Sequence, residues 1–307
     1  MIKVNRRESV LIMKNYFPNF TAESLEKLSD FEAIHEIRLR TGRPVGIVSF
    51  GSERFLTEKG GLTSYPDMCR KLSSDDMEYS FRAVCDYSIH SYKREISEGF
   101  VTLEGGNRVG ICGTAVVDNG HVSTLKYISG LNFRIAGQAI GCADKLCREI
   151  ISNGIESTLI IGPPMSGKTT FIRDMCRILG ESRHVSVIDE RGEIAAVYHG
   201  IAQNNIGKMT DVFDGYPKAE GIMTAVRVMS PEIVVCDEIG GKEDCAALMS
   251  SANTGVKIIA SAHGNDIKSI KERKYLKEII ECGIFRYCVT LKGGNNIGKQ
   301  ITCERIN

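Results

Sequence analysis

The second half of the chain alternates apolar-rich runs with segments long enough to form helices. The runs cover residues 158–161, 185–188, 233–236, 256–260 and 286–291. Short apolar runs are typical of strands that are buried on both faces, and helical connections of this length join parallel strands. The pattern therefore predicts a parallel sheet that is covered by helices on both sides.

The first half mixes the periodicities of helix and strand. Helical spacing is found over residues 22–36 and 74–87. Strand-like segments cover residues 36–40, 100–103, 108–111 and 115–117. A further helix is predicted over residues 143–151. These patterns predict a smaller α+β domain at residues 1–140, a linker at 141–156 and an α/β domain at 157–307.

Composition limits the classes of protein that remain. The 307 residues suffice for two domains, and the formal net charge of +1 gives no overall attraction to nucleic acid or anionic lipid. The eleven cysteines include no Cys-x-x-Cys pair, which favours a reducing compartment over a disulfide framework or a zinc site. No apolar stretch approaches the roughly eighteen residues of a membrane span. We therefore expect a cytoplasmic protein without a membrane span of its own.

A glycine-rich loop between a predicted strand and a predicted helix carries the clearest chemistry. The loop consists of Gly162, Pro163, Pro164, Met165, Ser166, Gly167, Lys168 and Thr169, followed by Thr170. Such a loop turns backbone N–H groups around phosphates at the positive end of the next helix. Lys168 is expected to reach the β and γ phosphates, and the Thr169 hydroxyl to bind Mg²⁺. The loop predicts binding of ATP with Mg²⁺.

Two later strands end in carboxylates, as this chemistry requires. Asp237 and Glu238 follow the apolar run at 233–236, so Asp237 is predicted to hold the metal and Glu238 to polarise the attacking water. Asp189, Glu190 and Glu193 follow the run at 185–188 and are candidates for a second metal or water ligand. A surface salt-bridge cluster is the alternative for these three.

The remaining candidates are one histidine and four arginines. His263 ends a further core strand, where it is expected to sense the γ-phosphate. Phosphoryl transfer gains from an inserted guanidinium, and the candidates for this finger are Arg94, Arg108, Arg134 and Arg227. Arg134 is the first choice because it is nearest to the predicted linker.

The order of these elements resembles the traffic ATPases of type II and type IV secretion. The resemblance is closer to the stage III sporulation protein AA family. It is carried by residues 37–44, 105–110, 131–136, 187–194, 210–212 and 236–240. The chain departs from the secretion ATPases at Asp237, where they often have Gly, and at Arg191, where they usually have Pro.

The resemblance implies a RecA-like ATPase domain behind an N-terminal α/β domain. It places the Asp box at Asp189, Glu190 and Glu193, Walker B at Asp237 and Glu238, and the His box at His263. It further implies a ring, expected to be a homo-hexamer, that acts in the mother cell on a membrane-embedded channel or secretion component during endospore formation.

Three other interpretations remain open at this stage. A nucleic-acid-dependent motor is disfavoured by the near-neutral charge, although pore loops can be locally basic. A small-metabolite kinase would need an acceptor pocket and an arginine-bearing lid, and the sequence suggests neither. A scaffold that binds ATP without hydrolysing it is disfavoured by Glu238.

Overall fold

The computed structural model describes residues 10–28, 34–137, 139–151, 154–292 and 301–306. The chain forms two compact units that divide after Gly137. The proposed linker at 141–156 contains a helix that packs within the second unit. No helix in the described ranges is long and apolar enough to cross a membrane.

The first unit is built on a seven-stranded antiparallel sheet with strand order β4-β3-β2-β1-β7-β6-β5. Its strands are β1 (Ile34–Arg40), β2 (Gly46–Ser49), β3 (Ser52–Leu56), β4 (Leu62–Thr63), β5 (Phe100–Thr102), β6 (Arg108–Asp118) and β7 (His121–Arg134). Its helices are α1 (Asn19–Glu26), α2 (Ser74–Val84) and α3 (Lys93–Glu98).

Apolar packing and one helix cap organise this unit. Phe17 packs against Phe133 of β7, with ring centroids 4.6 Å apart, and both side chains are buried. Helix α2 begins with a capping box, in which the Ser73 hydroxyl accepts the Asp76 N–H and the Asp76 carboxylate accepts the Ser73 N–H. The cap satisfies two N–H groups that a helix start leaves unpaired.

Several predictions for the first half were wrong. The helix predicted over 22–36 is α1, which ends at Glu26, and Ile34 and His35 already belong to β1. Residues 29–33 of that prediction lie outside the described residues. The strands predicted at 108–111 and 115–117 form one strand, β6, with register irregularities that interrupt its apolar pattern. Strands β2, β3, β4 and β7 were not predicted.

The second unit contains a seven-stranded sheet with strand order β12-β9-β13-β14-β8-β15-β16, parallel except for β16. Its strands are β8 (Thr158–Gly162), β9 (Val185–Asp189), β12 (Thr210–Asp214), β13 (Ile233–Cys236), β14 (Lys257–His263), β15 (Tyr287–Leu291) and β16 (Ile301–Arg305), with a small hairpin of β10 (Val197–Tyr198) and β11 (Ile201–Ala202). Its helices are α4 (Asp144–Ile151), α5 (Lys168–Leu179), α6 (Lys218–Met229), α7 (Lys242–Ala252), α8 (Ile267–Lys271) and α9 (Lys274–Glu281).

Alternating strand residues form a core on each face of this sheet. Ile160 of β8 packs with α4 and α5 on one face, whereas Leu159 and Ile161 pack with the apolar side chains of α6 to α9 on the other. The α/β fold predicted from the apolar runs is therefore confirmed. The central strands β9, β13, β14 and β8 lie side by side, so the loops after them meet at one edge of the sheet.

Candidate functional site at the carboxyl edge of the second sheet

The glycine-rich loop connects β8 to α5 in a conformation suited to an anion. Met165 and Gly167 have positive φ angles of 61° and 92°, which turn the backbone around the start of the helix. A side chain at Gly162 would come within 2.8 Å of the Leu291 carbonyl oxygen, so this close approach requires glycine. The Ser166 hydroxyl is buried without a hydrogen-bond partner. A concave loop at a helix N-terminus with an unsatisfied polar group fits a phosphate chain.

Lys168 is the buried cation of this loop. Its Nζ donates hydrogen bonds to the carbonyl oxygens of Gly162 at 2.9 Å and Pro163 at 3.0 Å. Burial lowers the pKa of Lys168, and the nearby Glu238 carboxylate opposes that shift. An ammonium group held by two neutral carbonyls is available to a stronger, anionic acceptor.

His263 connects this lysine to the predicted catalytic glutamate. The last residue of β14, it is aligned with Gly162 of β8. Its Nδ1 lies 3.0 Å from Lys168 Nζ, and its Nε2 lies 2.9 Å from Glu238 Oε1. An ammonium group can only donate, so Nδ1 accepts and Nε2 carries the hydrogen that is donated to Glu238. The neutral imidazole thus bridges the phosphate loop and the end of β13.

Glu238 is held in an unusual backbone conformation. Its φ of 31° lies in the left-handed region, and its N–H donates to the Ser261 hydroxyl at 3.0 Å. The second carboxylate oxygen, Oε2, lies 3.2 Å from the Arg191 guanidinium. The carboxylate is therefore placed between an imidazole and a guanidinium, beside the phosphate loop.

Asp237 and Lys218 form a buried pair next to Glu238. Asp237 is only 4% exposed, and burial raises its pKa to about 6 although Lys218 opposes the shift. Burial disfavours the charge of Lys218, but Asp237 and other nearby acidic groups hold its pKa above the usual value. Lys218 Nζ lies 3.8 Å from Asp237 Oδ1, 3.4 Å from Glu190 Oε2 and 3.0 Å from the Glu238 carbonyl oxygen.

Lys218 was missed by the sequence analysis. The structure shows it to be the first residue of α6, where a cation at the positive end of a helix is unfavourable unless something compensates it.

The three candidates after β9 occupy different environments. Asp189 is fully buried, and its carboxylate accepts the backbone N–H groups of Glu193, Ile194 and Ala195 at 2.7 to 3.0 Å. Asp189 therefore stabilises the turn that follows β9. Glu190 pairs with Lys218, which in turn donates to the Glu238 carbonyl oxygen after β13. A role of Asp189, Glu190 or Glu193 as a metal or water ligand remains a prediction.

The residues present fit a Mg²⁺ ion that is shared with a phosphate chain. Thr169 is the second residue of α5, after the loop that follows β8, and Asp237 directly follows β13, so both lie at the carboxyl edge of the sheet. Ser166 supplies an unsatisfied hydroxyl in the loop. Within the described part of the chain, no three His, Cys, Asp or Glu side chains converge as a metal cage. Mg²⁺ normally takes one or two protein carboxylates and completes its shell with water and phosphate.

The four candidate arginines belong to other elements of the fold. Arg227 is exposed near the end of α6. The other three belong to the first unit: Arg94 pairs with Glu98 in α3, Arg108 begins β6, and Arg134 ends β7 opposite both Arg108 and Glu36. The assignment of a finger among them stays a prediction.

Similarity to known proteins agrees with this arrangement. The chain is 37% identical over 254 residues to stage III sporulation protein AA of Bacillus subtilis, covering 81% of this chain and 79% of that protein. It is 26% identical over 267 residues to the uncharacterized protein ycf45 of Porphyra purpurea, covering 86% of this chain and 42% of that protein.

Solved structures share the fold. The Legionella pneumophila ATPase DotB superposes with a TM-score of 0.57 at 16% identity, covering 89% of this chain and 76% of DotB. The pilus retraction motor PilT, solved with bound ADP, superposes with a TM-score of 0.59 at 16% identity and the same two coverages. The family described as sporulation stage III, protein AA, matches residues 19–303. The chain therefore belongs to the sporulation stage III protein AA family and has the fold of secretion and pilus ATPases.

Proposed function

We propose that this chain is a Mg²⁺-dependent ATPase of the secretion-ATPase type. One observation carries the proposal: the hydrogen-bonded series from Lys168 through His263 to Glu238, which joins the phosphate loop to the carboxylate after β13. A loop that only bound a phosphate would not need a carboxylate connected to its lysine. The fold shared with DotB and PilT, the latter crystallised with ADP, supports the assignment.

The reaction is hydrolysis of the bond to the γ-phosphate by water. The triphosphate draws Lys168 Nζ away from the loop carbonyls and His263, because phosphate oxygens are charged acceptors. Glu238 orients the attacking water and takes its proton. His263 Nε2 continues to donate to Glu238, while Nδ1 has lost its hydrogen bond from Lys168. The hydrogen bonding of the imidazole therefore depends on whether Lys168 is bound to the phosphates.

Asp237 and Thr169 would hold the metal. Mg²⁺ there would neutralise charge on the β and γ phosphates as the bond breaks. Asp237 must be ionised to bind it, so the raised pKa makes proton and metal competitors at this carboxylate.

The assembly we propose is a ring, with a homo-hexamer as the expected state, and Arg134 is the proposed finger from a neighbouring subunit. Membership of the sporulation family supports a role in the mother cell of a sporulating bacterium, where turnover would drive a channel or secretion component of the membrane. Shared sites would couple each hydrolysis event to movement between subunits.

The test combines phosphate release with mass measurement over a range of protein concentrations, with and without ATP. We expect specific activity to rise with concentration as rings form, in parallel with the measured mass. Absence of hydrolysis at every concentration would refute the ATPase. A fully active monomer would refute the shared site and favour the small-metabolite kinase instead. Stimulation of hydrolysis by single-stranded DNA that declines with added salt would favour the nucleic-acid motor.

A further inference from the structure

Lys218 is buried where a cation is least expected. Only 7% of its side chain is exposed, and it is the first residue of the twelve-residue helix α6. The N-terminus of a helix carries partial positive charge, so both burial and position oppose an ammonium group there. Such a residue persists only where other interactions stabilise it.

The partners of Lys218 come from two separate parts of the sheet edge. Its Nζ donates to the Glu238 carbonyl oxygen at 3.0 Å and lies 3.4 Å from Glu190 Oε2 and 3.8 Å from Asp237 Oδ1. Glu190 follows β9 and Glu238 follows β13, which are neighbouring strands. The ammonium group thus ties the loop after one strand to the loop after the next.

The peptide groups on either side of Glu238 are held from both sides. Lys218 Nζ donates to the carbonyl oxygen of Glu238, and the N–H of Glu238 donates to the Ser261 hydroxyl of β14. Its φ of 31° is one that residues other than glycine rarely adopt, so surrounding contacts must maintain it. These two contacts aim the side chain, whose oxygens meet His263 and Arg191.

We propose that Lys218 is a positioning residue for hydrolysis: together with Ser261 it holds the Glu238 backbone so that the carboxylate stays beside His263 and the phosphate loop. This inference rests on the proposed function, since it assigns Glu238 the water. Lys218 itself does not touch the reacting atoms. A displacement of about 1 Å at a catalytic group can reduce a rate by about a hundredfold.

The test uses Lys218→Met, which keeps the length of the side chain and removes its hydrogen bonds. Lys257→Met is the matched control, because Lys257 also pairs with a glutamate, Glu156 at 2.9 Å, but does so near the opposite end of the sheet. We expect Lys218→Met to reduce kcat by about ten- to a hundredfold, while the Kd for a fluorescent ATP analogue changes less than about threefold. The control should match the wild type in both.

A second measurement does not depend on turnover. Imidazole ¹⁵N resonances, assigned to His263 with a His263→Gln variant, report its hydrogen bond to Glu238. We expect them to shift in Lys218→Met and in Ser261→Ala, and to stay in place in Lys257→Met. Because both anchors hold one residue, the double variant should lose less than the product of the single losses.

The outcomes separate this inference from the ATPase itself. If the wild type hydrolyses no ATP, the proposed function fails, while shifted His263 resonances still support the positioning. If the wild type is active but Lys218→Met keeps kcat and the His263 resonances, the positioning is overturned and the ATPase stands. An equal loss in Kd and kcat would also overturn it. Should Lys218→Met not fold, Ser261→Ala decides by the same two measurements.

Discussion

The two units of this protein differ in the charge that they bury. The described part of the second unit buries five charged side chains: Lys168, Asp174, Asp189, Lys218 and Asp237. In the described part of the first unit, the buried polar side chains are hydroxyls and one amide, and none is charged. The ion pair of Arg82 with Glu78 in α2, for example, has both side chains more than half exposed.

Strand direction explains the difference. Parallel strands all end at the same edge, so residues that follow β8, β9, β13 and β14 are brought together although they are far apart in the chain. Antiparallel strands end alternately at opposite edges, which disperses such residues. A buried charge is unfavourable unless paired. Four of the five, Lys168, Asp189, Lys218 and Asp237, lie at the carboxyl edge of the second sheet and mark the place where charge is needed, whereas Asp174 lies within α5.

The largest effect is expected for Lys168→Ala. The variant removes the one cation of the phosphate loop, so hydrolysis should be undetectable and ATP binding weaker. Phosphate release and binding of a fluorescent ATP analogue measure the two effects, with Lys257→Ala as a control at a distant ion pair. A normal rate in Lys168→Ala would show that the buried charge of the second unit is structural.

Arg134 would be an exception to this difference between the units, because it would give the first unit a charge that acts in catalysis. Arg134→Ala should reduce the rate by about a thousandfold, the lower end of the contribution of an arginine finger. Mixing it with Lys168→Ala chains should partly restore activity, since some sites then combine an intact Arg134 with an intact Lys168. The matched control is a mixture of Lys168→Ala and Glu238→Gln chains, whose residues belong to one site and should not rescue one another. Ring formation without rescue would exclude Arg134 in trans.

A somewhat smaller effect is expected for Glu238→Gln. The amide keeps the shape of the side chain and can still accept from His263, but it loses the basicity that the water requires. We expect at least about a hundredfold loss of kcat with ATP binding retained. If this variant turned over normally while Glu190→Gln or Glu193→Gln did not, the base would lie after β9 instead of β13.

The parts that could be predicted from the sequence are those set by local pattern. The phosphate loop and the buried strands can be predicted from composition and spacing. Strands β12 and β16 are half-polar edge strands and show no such pattern. Strand β7 lies between β1 and β6, yet it also lacks an apolar pattern, because most of its length is exposed or only partly buried.

The functional contacts show the same division. Asp237 and Glu238 are visible because they follow an apolar run directly. Lys218 and Ser261 act on Glu238 across gaps of 20 and 23 residues, through distances that only the packed sheet establishes. Asp189 has the residue type of a ligand, yet its surroundings, three backbone N–H groups, are a property of the folded turn.

The last effect concerns stability instead of turnover and again contrasts the two units. Asp174 of α5 is 4% exposed and accepts the N–H groups of Gly141 and Ala143 and the guanidinium of Arg177. Burial alone would raise the pKa of Asp174, but Arg177 and the two N–H groups hold it below the usual value. The ionised form therefore stabilises the folded state above the unfolded pKa of about 4, and this contribution is lost as pH falls through the lower folded pKa.

Asp174→Asn places an amide nitrogen, a donor, against groups that are themselves donors. We expect the free energy of unfolding near pH 7 to fall by about 2–4 kcal/mol, and the difference from the wild type to shrink below about pH 4. Urea unfolding at several pH values measures both. Glu78→Gln, at the exposed pair with Arg82, is the control and should change stability by less than about 0.5 kcal/mol at any pH. Equal losses in the two variants would contradict the view that only the second unit depends on buried charge, because an exposed pair would then contribute as much as an enclosed one.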